Sequence, residues 1–170
     1  IGVEVADFTY TQQTHTTNVK RVYARERGQS FPETDGMITD VPGICLVTSY
    51  ADCVPLYFVD PVKKVIGLSH SGWRGTVGKI GKVTVEKMEE EFGCDPADIL
   101  GAVGPSICQD CYEVSEDVIK KFRENYDENL WPEIFYQKEN GKYQLNLWKA
   151  NESVFLESGI LPEHIAVTNV

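Results

Sequence analysis

The stretch from Lys64 to Phe92 constrains this fold more than any other part of the chain. Lys64-Val65-Ile66-Gly67-Leu68-Ser69 is an apolar run of strand length, and it ends at His70. His70-Ser71-Gly72-Trp73-Arg74-Gly75-Thr76 follows, with two glycines that let the backbone turn. Then Val77, Ile80, Thr84, Met88 and Phe92 recur at spacings of three and four, which predicts a helix over Val77 to Phe92 with one face buried. Gly93 stands where such a helix ends in a left-handed residue. A strand that feeds a helix through a glycine turn belongs to an α/β arrangement. It also sets a histidine and an arginine at one junction, where exposed backbone N–H groups favour anions.

The remaining segments fill in a mixed sheet. Val3 to Thr11 reads as a strand leading to Gln12-Gln13-Thr14-His15, and Asn18 to Tyr23 as another. Arg25 to Glu33 is polar, holds Gly28 and Pro32, and reads as a loop. Gly36 to Thr39 is a short apolar piece, while Gly43 to Ser49 and Val54 to Val59 are continuous apolar runs. Runs of that kind fit strands buried on both faces. Ile99 to Val103 and Ile165 to Asn169 read as further strands. Ser115 is placed to cap a helix running to about Tyr126, with Val118, Ile119 and Phe122 inward. Ile134 to Gln137 and Gln144 to Leu147 predict a hairpin turning at Asn140-Gly141. Asn146 is placed to cap a last helix that ends at Ser158, just before Gly159. The expected class is α/β (α+β): one layered domain with mixed, partly buried sheets and flanking helices.

Composition narrows the partners. A chain of 170 residues is long enough for one substantial core. The first residue is Ile1 and the last strand runs to the chain's end. The expectation is therefore a single domain over 1–170 that lacks native segments at both ends. No apolar run approaches the ~20 residues of a membrane span, so no membrane partner is expected. The formal net charge of −10 and pI near 4.7 repel a polyanion, so no nucleic acid is expected either. Five cysteines at uneven spacing argue against a disulfide framework and for a reducing, cytoplasmic compartment. Asn151-Glu152-Ser153 matches a glycosylation sequon but lies inside a helical pattern, so it reads as chance.

Three metal-ligand types occupy the ends of elements: His15, Cys53 in Tyr50-Ala51-Asp52-Cys53-Val54-Pro55, and His70. Two imidazoles and a thiolate suit zinc, and three protein ligands leave one position open, as in catalytic sites. The plain alternative stands beside this: a lone cysteine between strands is also an ordinary small core residue. Cys108-Gln109-Asp110-Cys111 is a C-x-x-C, yet a zinc half-site needs a second pair that the chain lacks. Its simplest reading is structural, with a redox pair as the alternative. Arg74 is the best cation for a substrate phosphate, or a structural arginine tying loops together. Trp73 is a base-stacking or core aromatic. Glu113 lies just before a helix and reads as an acid/base group or a partner for the helix dipole. No G-x-S-x-G, P-loop or dinucleotide fingerprint occurs, nor the H-x-E with P-C-x-x-C signature of zinc deaminases.

Six motifs then occur in order: Gln13-x-His15, Asp35-Gly36-x-Ile38-Thr39, Ala51-Asp52-Cys53-x-Pro55, His70-x-Gly72-Trp73-Arg74-Gly75, Gly104-Pro105-Ser106-Ile107 and Tyr112-Glu113-Val114. Together they resemble the laccase-domain family, once described as multicopper polyphenol oxidases, and within it the bacterial purine nucleoside phosphorylase branch. The resemblance covers nearly the whole chain. It implies a layered α/β fold and zinc on His15, Cys53 and His70. It implies phosphorolysis of adenosine, inosine, guanosine and methylthioadenosine, with adenosine deamination as well. Cys53, His70 and Asp52 become the expected catalytic residues, with Asp52 orienting a ligand or relaying a proton. Arg74, Gln13 and Glu113 become the expected contacts to purine nucleoside and phosphate. Thr16 stands where the family commonly has glycine, which would narrow the pocket. The competing readings are a copper oxidase on the same ligands, a metal-free Cys-His enzyme with Cys53 as nucleophile, and a nucleoside-binding protein without turnover. The oligomeric state is left open.

Overall fold

The strands in chain order are Phe8–Gln12 (β1), Val19–Arg21 (β2), Ser30–Pro32 (β3), Gly36–Thr39 (β4), Cys45–Val47 (β5), Val54–Asp60 (β6), Val65–Ser71 (β7), Leu100–Val103 (β8), Glu113–Val114 (β9), Phe135–Gln137 (β10), Tyr143–Leu145 (β11) and Ile165–Val167 (β12). The helices are Trp73–Val77 (α1), Ile80–Phe92 (α2), Glu116–Asn125 (α3), Trp131–Ile134 (α4) and Leu147–Glu157 (α5). This is a computed structural model, and it describes residue 2 and residues 4–168. A six-stranded mixed sheet runs β12-β8-β6-β7-β4-β2, with two three-stranded sheets beside it, β3-β1-β5 and β10-β11-β9. The α/β class read from the sequence is the architecture observed.

The β6–β7 hairpin is the centre of the large sheet, and its register positions everything that follows. Pro55 pairs with His70 and Val54 with Ser71, so Cys53 arrives beside the residues that follow His70. On the other side of β7, Gly36 pairs with Ser69, and the His70 N–H donates to the Asp35 carbonyl at 2.7 Å. α2 buries Ile80, Thr84, Val85 and Met88 against the sheet, and α5 buries Val154 and Phe155. Phe155 meets Phe58 of β6 edge-on at 5.1 Å. Burying whole side chains of this size contributes about 1.5–3 kcal/mol each, so this layer anchors the hairpin. A smaller core of Val22, Phe31, Met37 and Ile44 lies apart from it.

Several expectations change. The helix predicted over Val77 to Phe92 is two helices, because the chain turns at Gly78 and Lys79. Lys79 adopts a left-handed φ of 57°, and a Cβ on Gly78 would meet Thr17 Cγ2 at 2.7 Å. The helical chain also begins earlier, at Trp73, so Arg74 sits inside the short α1. Arg25 to Glu33, read as a loop, contains β3, because Phe31 buries itself beside β1 and Pro32 is tolerated on an edge strand. Of Gly43 to Ser49 only Cys45–Val47 forms a strand, and it is half-buried. β6 is not buried on both faces: Tyr57 and Val59 are 44% and 42% exposed, since the helices cover one side. The first strand starts at Phe8, after a 3-10 turn at Val5–Asp7. Ser115 precedes α3 as expected, yet its hydroxyl donates to the Asp117 carboxylate and not to the helix backbone. The Asn140-Gly141 hairpin and the Asn146 cap form as read, the Asn146 side chain accepting from Lys149 N at 3.0 Å. Val3 and Asn169, ends of two predicted strands, lie outside the described residues. Among the described residues no helix is long and apolar enough to cross a membrane.

Candidate metal centre

His15 lies beyond β1, Cys53 just before β6 and His70 near the end of β7, and the fold brings all three together. One ligand atom from each lies within 4.8 Å of the other two. Cys53 Sγ is 3.8 Å from His15 Nε2, and the two imidazole centroids are 4.9 Å apart at 76°. Ligand atoms tetrahedrally placed around one zinc at 2.0–2.3 Å are about 3.3–3.8 Å apart, so small side-chain rotations bring this cluster to bonding geometry. His70 is buried, Cys53 half-buried and His15 exposed. The cluster is therefore covered on one side and open on the other.

One residue organises it. Asp35 is fully buried, and its two carboxylate oxygens accept five hydrogen bonds. Oδ1 takes the His70 Nδ1–H at 2.9 Å and the His15 N–H at 3.0 Å. Oδ2 takes the Thr16 hydroxyl at 2.7 Å, the Thr16 N–H at 2.8 Å and the Thr14 N–H at 3.2 Å. These bonds hold His15 at a left-handed φ of 62°, a conformation uncommon outside glycine. They also fix the His70 tautomer and leave the Nε2 lone pair free, as in metal-binding histidines whose other ring N–H is held by a carboxylate. Burial alone would raise the Asp35 pKa, but the Thr16, His70 and Thr14 donors outweigh it and hold the carboxyl below its usual range.

The electrostatics fit a cation. Burial pushes the Cys53 thiol up, and the nearby Asp52 and Asp35 carboxylates push it further. Burial also holds the His70 pKa down, against the opposing pull of Asp35. A neutral imidazole is what a metal needs, and a thiol disfavoured as a bare thiolate gains most from a metal beside it. Gly72 completes the fit. A Cβ there would meet His15 Cδ2 at 2.8 Å and Cys53 Sγ at 2.9 Å. Its turn is held from below, where Ser71 Oγ reaches Asn151 Oδ1 at 2.8 Å and Thr76 Oγ1 at 2.9 Å. Asn151, the sequon asparagine, is 1% exposed.

Two cavities border the cluster. A small cavity of about 70 Å³ is lined by His15, Cys53, Trp73, Arg74, Ile107 and Tyr112, with Asp52 on its edge. A wider, open one of about 470 Å³ is lined by Gln13, His15, Tyr50, Cys53 and His70 among others. Arg74 is exposed, stacks over the Trp73 ring at 4.3 Å and makes no ion pair among the described residues. Its charge is therefore available to an anion. The Gln13 side chain straps two loops, donating to Ser49 O at 2.6 Å and accepting from Ser49 N at 2.9 Å.

Two expected roles move to neighbouring residues. The residue that orients a histidine is Asp35, not Asp52. Asp52 is exposed at a left-handed φ of 72°, and its carbonyl accepts from Ile107 N at 3.1 Å. Glu113 lines neither cavity: it lies exposed on β9, paired with Lys138 at 2.7 Å. Its neighbour Tyr112 faces the cavity instead, with its phenol pKa raised by burial and by Cys53 and Asp52. Thr16 does not narrow the pocket, since its hydroxyl points at Asp35. Asp35 and Tyr112 both stood in the six motifs. Asp35 precedes the apolar Gly36 to Thr39 run, and that juxtaposition of an acid with a buried strand was the available signal.

Residues 1–170 match the model of the multi-copper polyphenol oxidoreductase laccase family. The chain is 35% identical to the purine nucleoside phosphorylase YlmD of Bacillus subtilis, over 99% of this chain and 63% of that protein. It is also 35% identical to the adenosine deaminase RL5 of an unknown prokaryotic organism, over 94% of this chain and 63% of that one. A Bacillus licheniformis protein of unassigned function, YfiH, superposes with a TM-score of 0.95 at 32% identity, over 99% of this chain and 66% of that one. The chain thus spans 63% of the length of YlmD and of RL5.

Proposed function

The chain belongs to the multi-copper polyphenol oxidoreductase laccase family, and from that premise we propose that it is a zinc-dependent purine nucleoside phosphorylase that also deaminates adenosine. The observation that carries this reading is the His15–Cys53–His70 cluster opening onto a cavity that also holds an unpaired Arg74. The names of the relatives, purine nucleoside phosphorylase and adenosine deaminase, supply the chemistry the cluster would serve.

In this proposal His15 Nε2, Cys53 Sγ and His70 Nε2 hold the metal, and Asp35 holds His70 by its Nδ1–H. Zinc, when bound, would supply a Lewis acid at these residues. Arg74 receives the phosphate, as a planar guanidinium can donate two parallel N–H bonds to a pair of phosphate oxygens. Trp73, Ile107 and Tyr112 offer the flat, apolar surface that a purine ring needs. Gln13 keeps the Ser49 loop in place at the wider opening. Asp52, on the rim beside Cys53, is the carboxylate placed to accept or return a proton. Substrates are adenosine, inosine, guanosine and methylthioadenosine in the phosphorolytic reaction, a glycosyl transfer, and adenosine in the hydrolytic one.

Two rival readings are weaker on physical grounds. A metal-free cysteine nucleophile needs a lowered thiol pKa, whereas Cys53 is raised. A copper oxidase with several coppers needs more imidazoles than the three histidines of this chain, of which one, His164, lies outside the cluster. The test is elemental analysis of the purified protein, followed by assays of adenosine with and without phosphate that resolve adenine, hypoxanthine and inosine. Zinc at one per chain, adenine formation only with phosphate, and inosine formation without it are expected. Cys53→Ala should lose the metal and both activities together, and a metal-free Cys53→Ala protein with full activity refutes the proposal.

A further inference from the structure

The C-x-x-C segment has no part in the function proposed above, yet it forms part of the cavity wall. Cys108 and Cys111 bracket a single 3-10 turn at Gln109–Cys111, closed by Cys111 N–H donating to Cys108 O at 3.2 Å. A turn closed in this way keeps its end Cα atoms within about 7 Å, and disulfides span about 4.4–6.8 Å. Cys108 is half-exposed, Cys111 is exposed, and both are free thiols. The residues on either side are Ile107 and Tyr112, which line the cavity with Arg74.

We propose that Cys108 and Cys111 are a reversible thiol–disulfide site, oxidised by small disulfides, whose state sets the position of Ile107 and Tyr112 in the cavity wall. The Cys108 thiolate attacks one sulfur of the small disulfide, forming a mixed disulfide and releasing one small thiol. The Cys111 thiolate then attacks the Cys108 sulfur, the mixed bond breaks and the second small thiol leaves. The protein loses two electrons and two protons, and the small disulfide gains them. Cys108 is the better attacking group because the Cys111 thiol and the Cys111 and Asp110 backbone N–H groups lower its pKa, whereas the Cys111 thiol is raised. The turn is tied at one end to the loop before Cys53 and at the other to β11. Ile107 N–H donates to Asp52 O at 3.1 Å and Tyr112 O accepts from Leu145 N at 3.0 Å. A covalent change at Cys108 and Cys111 is therefore transmitted to both wall residues.

The oxidation does not depend on the functional reading, while its effect on substrate rests on it, and the test separates the two. The metal-loaded full chain is incubated with oxidised glutathione and followed by intact mass and peptide mapping. The expected product has lost two hydrogens, carries no glutathione, and maps to a Cys108–Cys111 bond. C111S is expected to keep glutathione on Cys108 as a stable adduct. A wild-type protein that accumulates the adduct without closing the internal bond, or that pairs other cysteines, overturns the proposal whether or not nucleosides are turned over. The KM for adenosine is then compared between reduced and oxidised protein. A several-fold change in wild type that is absent from C108S is expected, and identical values in the two states overturn the link to the cavity wall.

Discussion

Gly72→Ala isolates the geometry of the metal cluster from the stability of the fold. Gly72 has φ −72° and ψ 174°, which any residue adopts, so backbone strain is not at issue. The added Cβ would sit 2.8 Å from His15 Cδ2 and 2.9 Å from Cys53 Sγ, where ordinary contact begins at 3.4 Å. Both ligands must retreat by about half an ångström, against a tolerance of about 0.2 Å in a metal–ligand bond. Changes that only disturb ligand orientation cost 10–100-fold in affinity, so displacing two ligands is expected to cost about 100-fold or more. That is about 2.7 kcal/mol of metal binding energy, and it should vanish from the metal-induced rise in thermal stability by linkage. The metal-free variant should melt close to the metal-free wild type, because the His15 side chain is exposed and the Cys53 side chain only half-buried. Competition titration against a chromophoric chelator gives the affinity, and melting with and without zinc gives the linkage. A Gly72→Ala protein that binds zinc within threefold of wild type would show that the three side chains do not close on one ion.

The other predictions test the supports of the cluster. Asp35→Asn places an amide NH₂ against at least two of the five donors that now face a carboxylate, and should cost about 2–4 kcal/mol in unfolding experiments and about 10–100-fold in zinc affinity. Arg74→Ala should raise the KM for phosphate at least tenfold while leaving zinc content and adenosine deamination near wild type, as measured by steady-state kinetics with phosphate varied. The metal-free protein should lose stability as pH falls from about 7 towards 5. The His70 pKa is lowered in the fold, so below the unfolded value of about 6.5 the unfolded chain binds more protons. Melting temperatures of wild type and His70→Gln across that range check it, with a flatter profile expected for the variant.

The three candidate ligands and the folded elements were legible in the sequence to different degrees, for physical reasons. The β6 and β7 runs announce themselves because burial demands apolar side chains, and Cys53 and His70 sit at the ends of those runs. Asn146 and the Asn140-Gly141 turn were legible because their backbone conformations demand those residue types. The break between α1 and α2 was not, since Lys79 carries no signal for a left-handed conformation. Nor was β3, whose pairing with β1 joins segments far apart in the chain. Asp35 was visible only as a motif residue, because its role depends on the β4–β7 register that sets it against His70.

That register explains why Asp35 orients a histidine where Asp52 was expected to. β4 and β7 are antiparallel, so the start of β4 and the end of β7 meet at the same end of the sheet. The loop after β1 arrives at that end too, and its Thr14, His15 and Thr16 N–H groups lack strand partners. Asp35 satisfies those donors and the His70 ring together. It therefore couples the position of one ligand's backbone to the orientation of another ligand's ring. Thr16 adds a hydroxyl to this knot where a glycine would add none, which makes the loop carrying His15 stiffer in this chain than the family's common glycine would allow. Thr16→Gly should accordingly leave the cavities open to the same ligands and weaken zinc binding only through the entropy of the His15 loop. The expected size is the cost of ordering one further residue on binding, about 1–2 kcal/mol at most. Calorimetric titration of zinc into Thr16→Gly decides it: a binding loss carried by entropy supports the coupling, and a loss carried wholly by enthalpy overturns it.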